Sequence, residues 1–106
     1  MLHELRIYQI FAHNREAFHA RFRDHALPLF RRCGFKFAGL WECEGEDGLE
    51  FVYLLEWPDL AVRKAAWDLF FADEGWKETK RRTAAEHGEL VGKTSTRLLR
   101  ATAYNA

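Results

Sequence analysis

Phe35-Lys36-Phe37-Ala38-Gly39-Leu40-Trp41-Glu42-Cys43-Glu44, then Gly45-Glu46-Asp47-Gly48, then Leu49-Glu50-Phe51-Val52-Tyr53-Leu54-Leu55-Glu56-Trp57: this stretch decides the fold. The first segment puts Phe35, Phe37, Gly39, Trp41 and Cys43 on one face at a period of two. The last does the same with Phe51, Tyr53, Leu55 and Trp57. Two glycines around an acidic pair form the tight connection of a β-hairpin. A hairpin at the centre of the chain divides what lies on either side into two halves.

Toward the N-terminus, Leu2 to Phe11 alternates, with Leu5, Ile7 and Gln9 on one side and Glu4, Arg6 and Tyr8 on the other, and reads as a strand. Asn14 is the expected N-cap of a helix from about Arg15 to Arg32. Phe18, Phe22, His25, Leu29 and Arg32/Cys33 recur at helical steps and mark the expected buried stripe. Gly34 is its left-handed stop. Inside that helix lies His25-Ala26-Leu27-Pro28. Proline has no N–H, so the carbonyl of Asp24 loses its usual partner and the helix is expected to be irregular there. An imidazole beside the apolar stripe would then face a half-buried cavity.

Toward the C-terminus, Pro58-Asp59 ends the third strand and caps a helix from about Leu60 to Ala72, carrying Leu60, Ala66, Trp67, Phe70 and Phe71. Asp73-Glu74-Gly75 interrupts it, and a further helical segment runs from about Trp76 to His87. Its Lys77, Lys80, Arg81 and Arg82 alternate with Glu78 and Glu86 and read as a solvated face. Gly88 to Lys93 is a loop and Thr94 to Tyr104 the last strand. The order β-α-β-β-α-β predicts an α+β, ferredoxin-like sandwich: a four-stranded antiparallel sheet with its helices on one face.

Composition bounds the function. The 106 residues suit one domain, spanning 1–106. Hydrophobic residues at 48% and charged residues at 30% describe a globular chain rather than a disordered one. Sixteen basic and sixteen acidic residues cancel, which argues against nucleic acid as a partner. Four Trp and nine Phe suit a dense core or an aromatic-lined cavity. Cys33 and Cys43 make neither a disulfide scaffold nor a zinc pattern. With no signal peptide and no apolar run long enough to span a bilayer, the sequence predicts a cytoplasmic protein with reduced thiols and no membrane partner.

The aromatic face of Phe37, Trp41, Phe51, Tyr53 and Trp57 is the expected seat of the helices. The other face is then expected to carry Tyr8, Ile10, Ala38, Leu40, Val52 and Leu54 among Glu4, Arg6, Glu42 and Glu56. An apolar patch of that extent is unusual on a monomer. It predicts a homodimer formed sheet face to sheet face, with Arg6 pairing Glu42 or Glu56.

At this point a resemblance enters. Glu4-Leu5-Arg6-Ile7-Tyr8, His25-Ala26-Leu27-Pro28, Gly39-Leu40-Trp41, Trp76 and Arg97-Leu98-Leu99-Arg100 resemble the NIPSNAP family, in order and spacing over nearly the whole chain. The resemblance implies the dimeric α/β-barrel superfamily, in which two ferredoxin-like sheets close into a barrel. That superfamily includes cofactor-independent monooxygenases, isomerases, dehydratases and haem-binding proteins, often with a cavity between helices and sheet. For this family it implies no settled reaction. Trp67 departs from the smaller or charged residue expected there and narrows the cavity.

His25 is the candidate catalytic residue, since imidazole takes or gives a proton near neutral pH. The alternative is a buried histidine satisfying a carbonyl freed by Pro28. Trp41, Tyr53, Trp57 and Trp67 are the candidate ligand-binding residues, an aromatic wall for a small apolar organic molecule; the alternative is plain core. His3, His13, His19, His25 and His87 form no metal-binding spacing, so no metal is expected. Cys33, at a helix C-terminus, is poorly placed to be a thiolate nucleophile. The expected chemistry is cofactor-free acid/base or oxygen chemistry, with His25 as base. The competing expectations are a non-enzymatic binding or interaction dimer, and haem binding through His25.

Overall fold

The hairpin forms where its glycines place it. In the computed structural model, which describes residues 1–105, β2 (Lys36–Gly45) and β3 (Gly48–Trp57) pair antiparallel up to Gly45 opposite Gly48. Gly48 has φ of 103°, a left-handed conformation that glycine adopts without strain. Ala106, the last residue of the expected domain, lies outside the described residues.

β1 (Leu2–Ile10) pairs with β3 on one side and β4 (Val91–Arg100) on the other, giving a four-stranded antiparallel sheet of order β2-β3-β1-β4. The expected α+β ferredoxin-like architecture is therefore present. The last strand starts and ends earlier than Thr94–Tyr104. Leu2 pairs with Arg100, so residues 101–104 have no strand left to pair with.

Between β1 and β2 the chain makes a 3₁₀ turn (Ala12–Asn14), then α1 (Arg15–Arg21), a π turn (Phe22–Ala26) and α2 (Leu27–Arg32), one continuous helical rod. The Leu27 N–H reaches back to Phe22 O, five residues earlier. This is the irregularity that Pro28 implied, since its ring cannot follow Asp24 with a regular bond. The stripe that faces the sheet consists of Phe18, Phe22, Ala26, Leu29 and Phe30, all buried. His25 is exposed, because the wider π turn rotates it out of that stripe. Its expected burial is corrected. Asn14 stands at the N-cap of α1 as expected, but its side chain makes no cap bond and instead donates to His87 O (2.9 Å) and Glu89 O (3.1 Å), tying the start of α1 to the end of the last helix.

After β3 come α3 (Leu60–Ala72) and α4 (Glu74–His87). Each is capped by an aspartate: Asp59 accepts from Val62 N at 2.8 Å, and Asp73 from Trp76 N at 2.8 Å. Asp73→Ala is expected to cost about 1 kcal/mol in urea unfolding, the usual value of a lost cap. No helix of the described residues is long and apolar enough to cross a membrane.

Two face assignments change. Leu2, Glu4, Arg6 and Tyr8 lie opposite Trp57, Leu55, Tyr53 and Phe51, so they share the helix-covered face. Glu4, Arg6, Tyr8 and Ile10 thus leave the outer face on which they were expected. In β2 a bulge between Phe37 and Gly39 shifts the alternation by one. Trp41 now lies opposite Val52 on the outer face, 52% exposed, while Leu40 and Glu42 lie opposite Tyr53 and Phe51. Glu42 takes Arg15 and His19 of α1 as partners, and Glu56 takes His3 and Lys36. The outer face therefore carries Leu5, Ile7, Trp41, Val52, Leu54 and Leu99, and the expected pairing of Arg6 with Glu42 or Glu56 across it falls away.

Candidate functional site

A cavity of about 200 Å³ lies between the helices and the inner face of the sheet. The stripe of the first helical rod supplies one wall, Phe18, Phe22, Ala26 and Phe30. Trp67, Phe70 and Phe71 of α3 and Trp76 of α4 supply the other. The rings pack on one another: Phe30 stacks on Phe70 with centroids 4.0 Å apart and an 8° interplanar angle. Val91 and Thr94 of β4 close the side nearest the sheet edge.

The floor is polar. Tyr8 and Tyr53 bring their hydroxyl oxygens to 2.5 Å, and either one donates. Arg6 donates to Thr96 Oγ1 and makes looser contacts, 3.4 Å each, to the two phenols. Its guanidinium lies 4.7 Å from the Trp67 ring centroid and 5.4 Å from that of Tyr8. Burial works against the Arg6 charge, but the two phenolic oxygens outweigh it and hold its pKa above the ordinary arginine range. Burial, reinforced by Tyr8 and opposed by Arg6, pushes the Tyr53 hydroxyl well above the ordinary tyrosine range. Tyr53 therefore remains a protonated phenol at neutral pH, a donor beside a permanent cation. Near the rim, Arg21 donates to Thr83 Oγ1 at 3.0 Å and lies 5.4 Å from the Trp76 ring centroid. Burial lowers its pKa, against the pull of Tyr8.

Beneath the cavity is a second polar knot. The Glu4 carboxylate is 0% exposed. It accepts from Trp57 Nε1 (2.9 Å), Trp67 Nε1 (3.0 Å) and two nitrogens of Arg63 (2.9 and 3.0 Å). Burial raises its pKa, yet the hydrogen bonds from Arg63, Trp67 and Trp57 outweigh it and hold the carboxyl below its ordinary value. Glu4 stays ionised and fixes the Trp67 ring that forms a cavity wall.

The structure separates the residues singled out from the sequence. Trp67 lines the cavity and narrows it. Tyr53 reaches it through Tyr8 and Arg6. Trp57 is core and holds Glu4. Trp41 is on the far side of the sheet. His25 lines a different hollow, with Pro28, Leu29, Asp73 and Trp76. Arg6, Tyr8, Arg21 and Phe22 belong to the cavity and were not foreseen. A signal for two of them was present: Glu4, Arg6 and Tyr8 alternate on one side of a strand, which places charge and phenol together. Among the described residues no group of three or more His, Cys, Asp or Glu is placed to hold a metal ion. The cavity lining contains no His, Cys or Met, and His25, the residue through which haem binding was expected, lines the other hollow.

Solved structures share this architecture. An uncharacterized NIPSNAP domain protein from Burkholderia xenovorans is 21% identical with a TM-score of 0.80, over 98% of this chain and 97% of that one. A NIPSNAP family protein from Agrobacterium tumefaciens is 15% identical with a TM-score of 0.82, over 98% and 95%. A putative antibiotic biosynthesis monooxygenase from Nitrosomonas europaea is 14% identical with a TM-score of 0.62, over 95% and 98%. At such identities the likeness is one of fold. No curated protein matches the chain. The NIPSNAP family model matches residues 3–106, and on that match, over nearly its full length, the chain belongs to the NIPSNAP family.

Proposed function

We propose that this NIPSNAP-family chain binds a small, largely apolar organic molecule in the cavity between helices and sheet, and that it does so as a homodimer. The observation that carries the first part is the cavity itself: about 200 Å³, walled by aromatic rings over a polar floor. An apolar void of about 150 Å³ already holds benzene, so one or two rings are the matching size. The chemistry this floor suits is cofactor-free acid/base chemistry. Tyr8, which lines the cavity and is held by Tyr53, donates a hydrogen bond to the ligand, and Arg6 stabilises an oxyanion. The cofactor-free oxygen chemistry that the resemblance implies belongs to the same proposal, as does the monooxygenase name borne by a similar fold. His25 has no part in it, being on the other side of the helical rod.

Ala26, 1% exposed on the cavity wall, allows a direct test. Melting is followed with a panel of one- and two-ring compounds. A compound at a hundredfold excess over its Kd stabilises by about 2.7 kcal/mol, or roughly 10 °C in Tm for a chain of about 100 residues. At least one compound is expected to do so, and Ala26→Leu, which fills the space, is expected to abolish the shift. A panel that leaves Tm unmoved would remove the proposal.

The second part rests on the outer sheet face. Leu5, Ile7, Val52 and Leu54 are only partly covered, Trp41 is 52% and Leu99 42% exposed, and the six form one apolar surface across the sheet. A second copy related by a two-fold axis would cover it with the same surface. We place the protein in the cytoplasm, in keeping with its free thiols at Cys33 and Cys43.

A further inference from the structure

The cavity has an unbalanced charge. Arg6, Arg21 and Lys80 all line it, and no Asp or Glu does. Among the described residues, eight of the other thirteen Lys and Arg side chains pair with carboxylates, for example Arg15 with Glu42, Arg63 with Glu4, Lys64 with Asp68 and Arg81 with Glu78, and the remaining five, Arg31, Arg32, Arg82, Arg97 and Arg100, are exposed to solvent. The three cavity cations have no carboxylate partner among the described residues. Arg6 and Arg21 contact only hydroxyls and aromatic faces. The imbalance is local, since the chain as a whole is neutral.

Arg6 and Arg21 are partly buried, and holding them against aromatic walls without a counter-charge is costly in the free protein, whereas Lys80 is exposed at the rim and adds positive field there. The cost is recovered when a ligand brings the missing negative charge. Guanidinium groups suit this role, because they are weakly hydrated, stay charged and present a fork of donors to a carboxylate. The aromatic walls would meanwhile take the ligand's ring. We infer that the cavity takes an amphipathic organic anion, a ring-bearing carboxylate, with its ring between the helices and its charged end toward Arg6, Arg21 and Lys80. This rests on the small-molecule reading above and specifies the class of molecule.

The test compares two probes of one shape and different charge, 2-naphthoate and 2-naphthamide, titrated calorimetrically into the full chain. The carboxylate is expected to bind at least tenfold more tightly at low salt, with the ratio shrinking as salt is raised. Arg21→Met and Lys80→Met are each expected to reduce the ratio, by weakening naphthoate binding more than naphthamide binding. Arg6→Met is expected to reduce it most. Arg6 also braces two buried phenols, so the two rim variants carry the test if that variant does not fold. Equal affinity for both probes would overturn the anion inference and leave the small-molecule reading standing. Binding of neither would overturn both.

Discussion

Glu4→Ala is expected to destabilise the chain by about 3–5 kcal/mol, the usual result of removing one partner from a buried ion pair. A domain of this kind has a total stability of only about 5–15 kcal/mol, so the variant should be largely unfolded at moderate urea. The reason is the number of donors left behind. Trp57 Nε1, Trp67 Nε1 and the Arg63 guanidinium all converge on this one carboxylate, and among the described residues neither indole has a second acceptor. Glu4→Gln keeps the shape and one acceptor oxygen but turns an amide NH₂ toward a donor, so it should also lose stability, by a smaller amount. Urea unfolding at neutral pH measures both; a loss below about 1 kcal/mol for the alanine variant would contradict the assignment.

The same group sets a pH dependence. The folded carboxyl is more acidic than in the unfolded chain, where it titrates near 4.3. Its contribution is therefore fully present above that unfolded value and is lost as pH falls through the lower, folded one. Glu4→Gln should flatten this part of the acid limb while lowering stability at pH 7.

Leu54→Asp is expected to split the proposed dimer into folded monomers. Leu54 sits on β3 at the outer face, between Leu5 of β1 and Gly39 of β2. A two-fold interface would bury the introduced carboxylate twice, each time at several kcal/mol, and so weaken association by about a thousandfold or more. Because Leu54 faces away from the helices, the monomer's melting and its response to naphthoate should persist. Sedimentation at micromolar concentration decides: a parent chain that runs as a monomer, or a variant that remains a dimer, would refute the sheet-to-sheet arrangement.

Element order was legible because each boundary carries its own local chemistry: Gly45 to Gly48 for the hairpin, Asp59 and Asp73 for the helix caps, Gly34 for the stop. Faces were less legible. In β1 both sides carry apolar residues, Leu5 and Ile7 on one and Tyr8 and Ile10 on the other, so alternation alone does not say which side is buried. Glu4 and Arg6 look like solvent-facing charges. Their burial depends on partners far along the chain, Arg63 and Trp67 for one and Tyr53 and Thr96 for the other. A single bulge at Phe37/Gly39 moved Trp41 to the opposite side, and one π turn moved His25 out of the stripe. Each is a one-residue event that changes which side chains face the core: Pro28 signals that the helix is irregular but not which residue turns outward, and nothing as strong as a glycine turn marks the register of the bulge.

The four tryptophans are scattered over separate surroundings: Trp41 open on the far side of the sheet, Trp57 enclosed beside a carboxylate, Trp67 and Trp76 along the hollow. The molecule therefore carries its own optical gauges. Ultraviolet emission from Trp41 would brighten or dim with self-association, that of Trp67 and Trp76 with occupancy of the hollow, and a small quencher would strike Trp41 first and Trp57 last. Single Trp→Phe replacements would sort those signals without any attached dye.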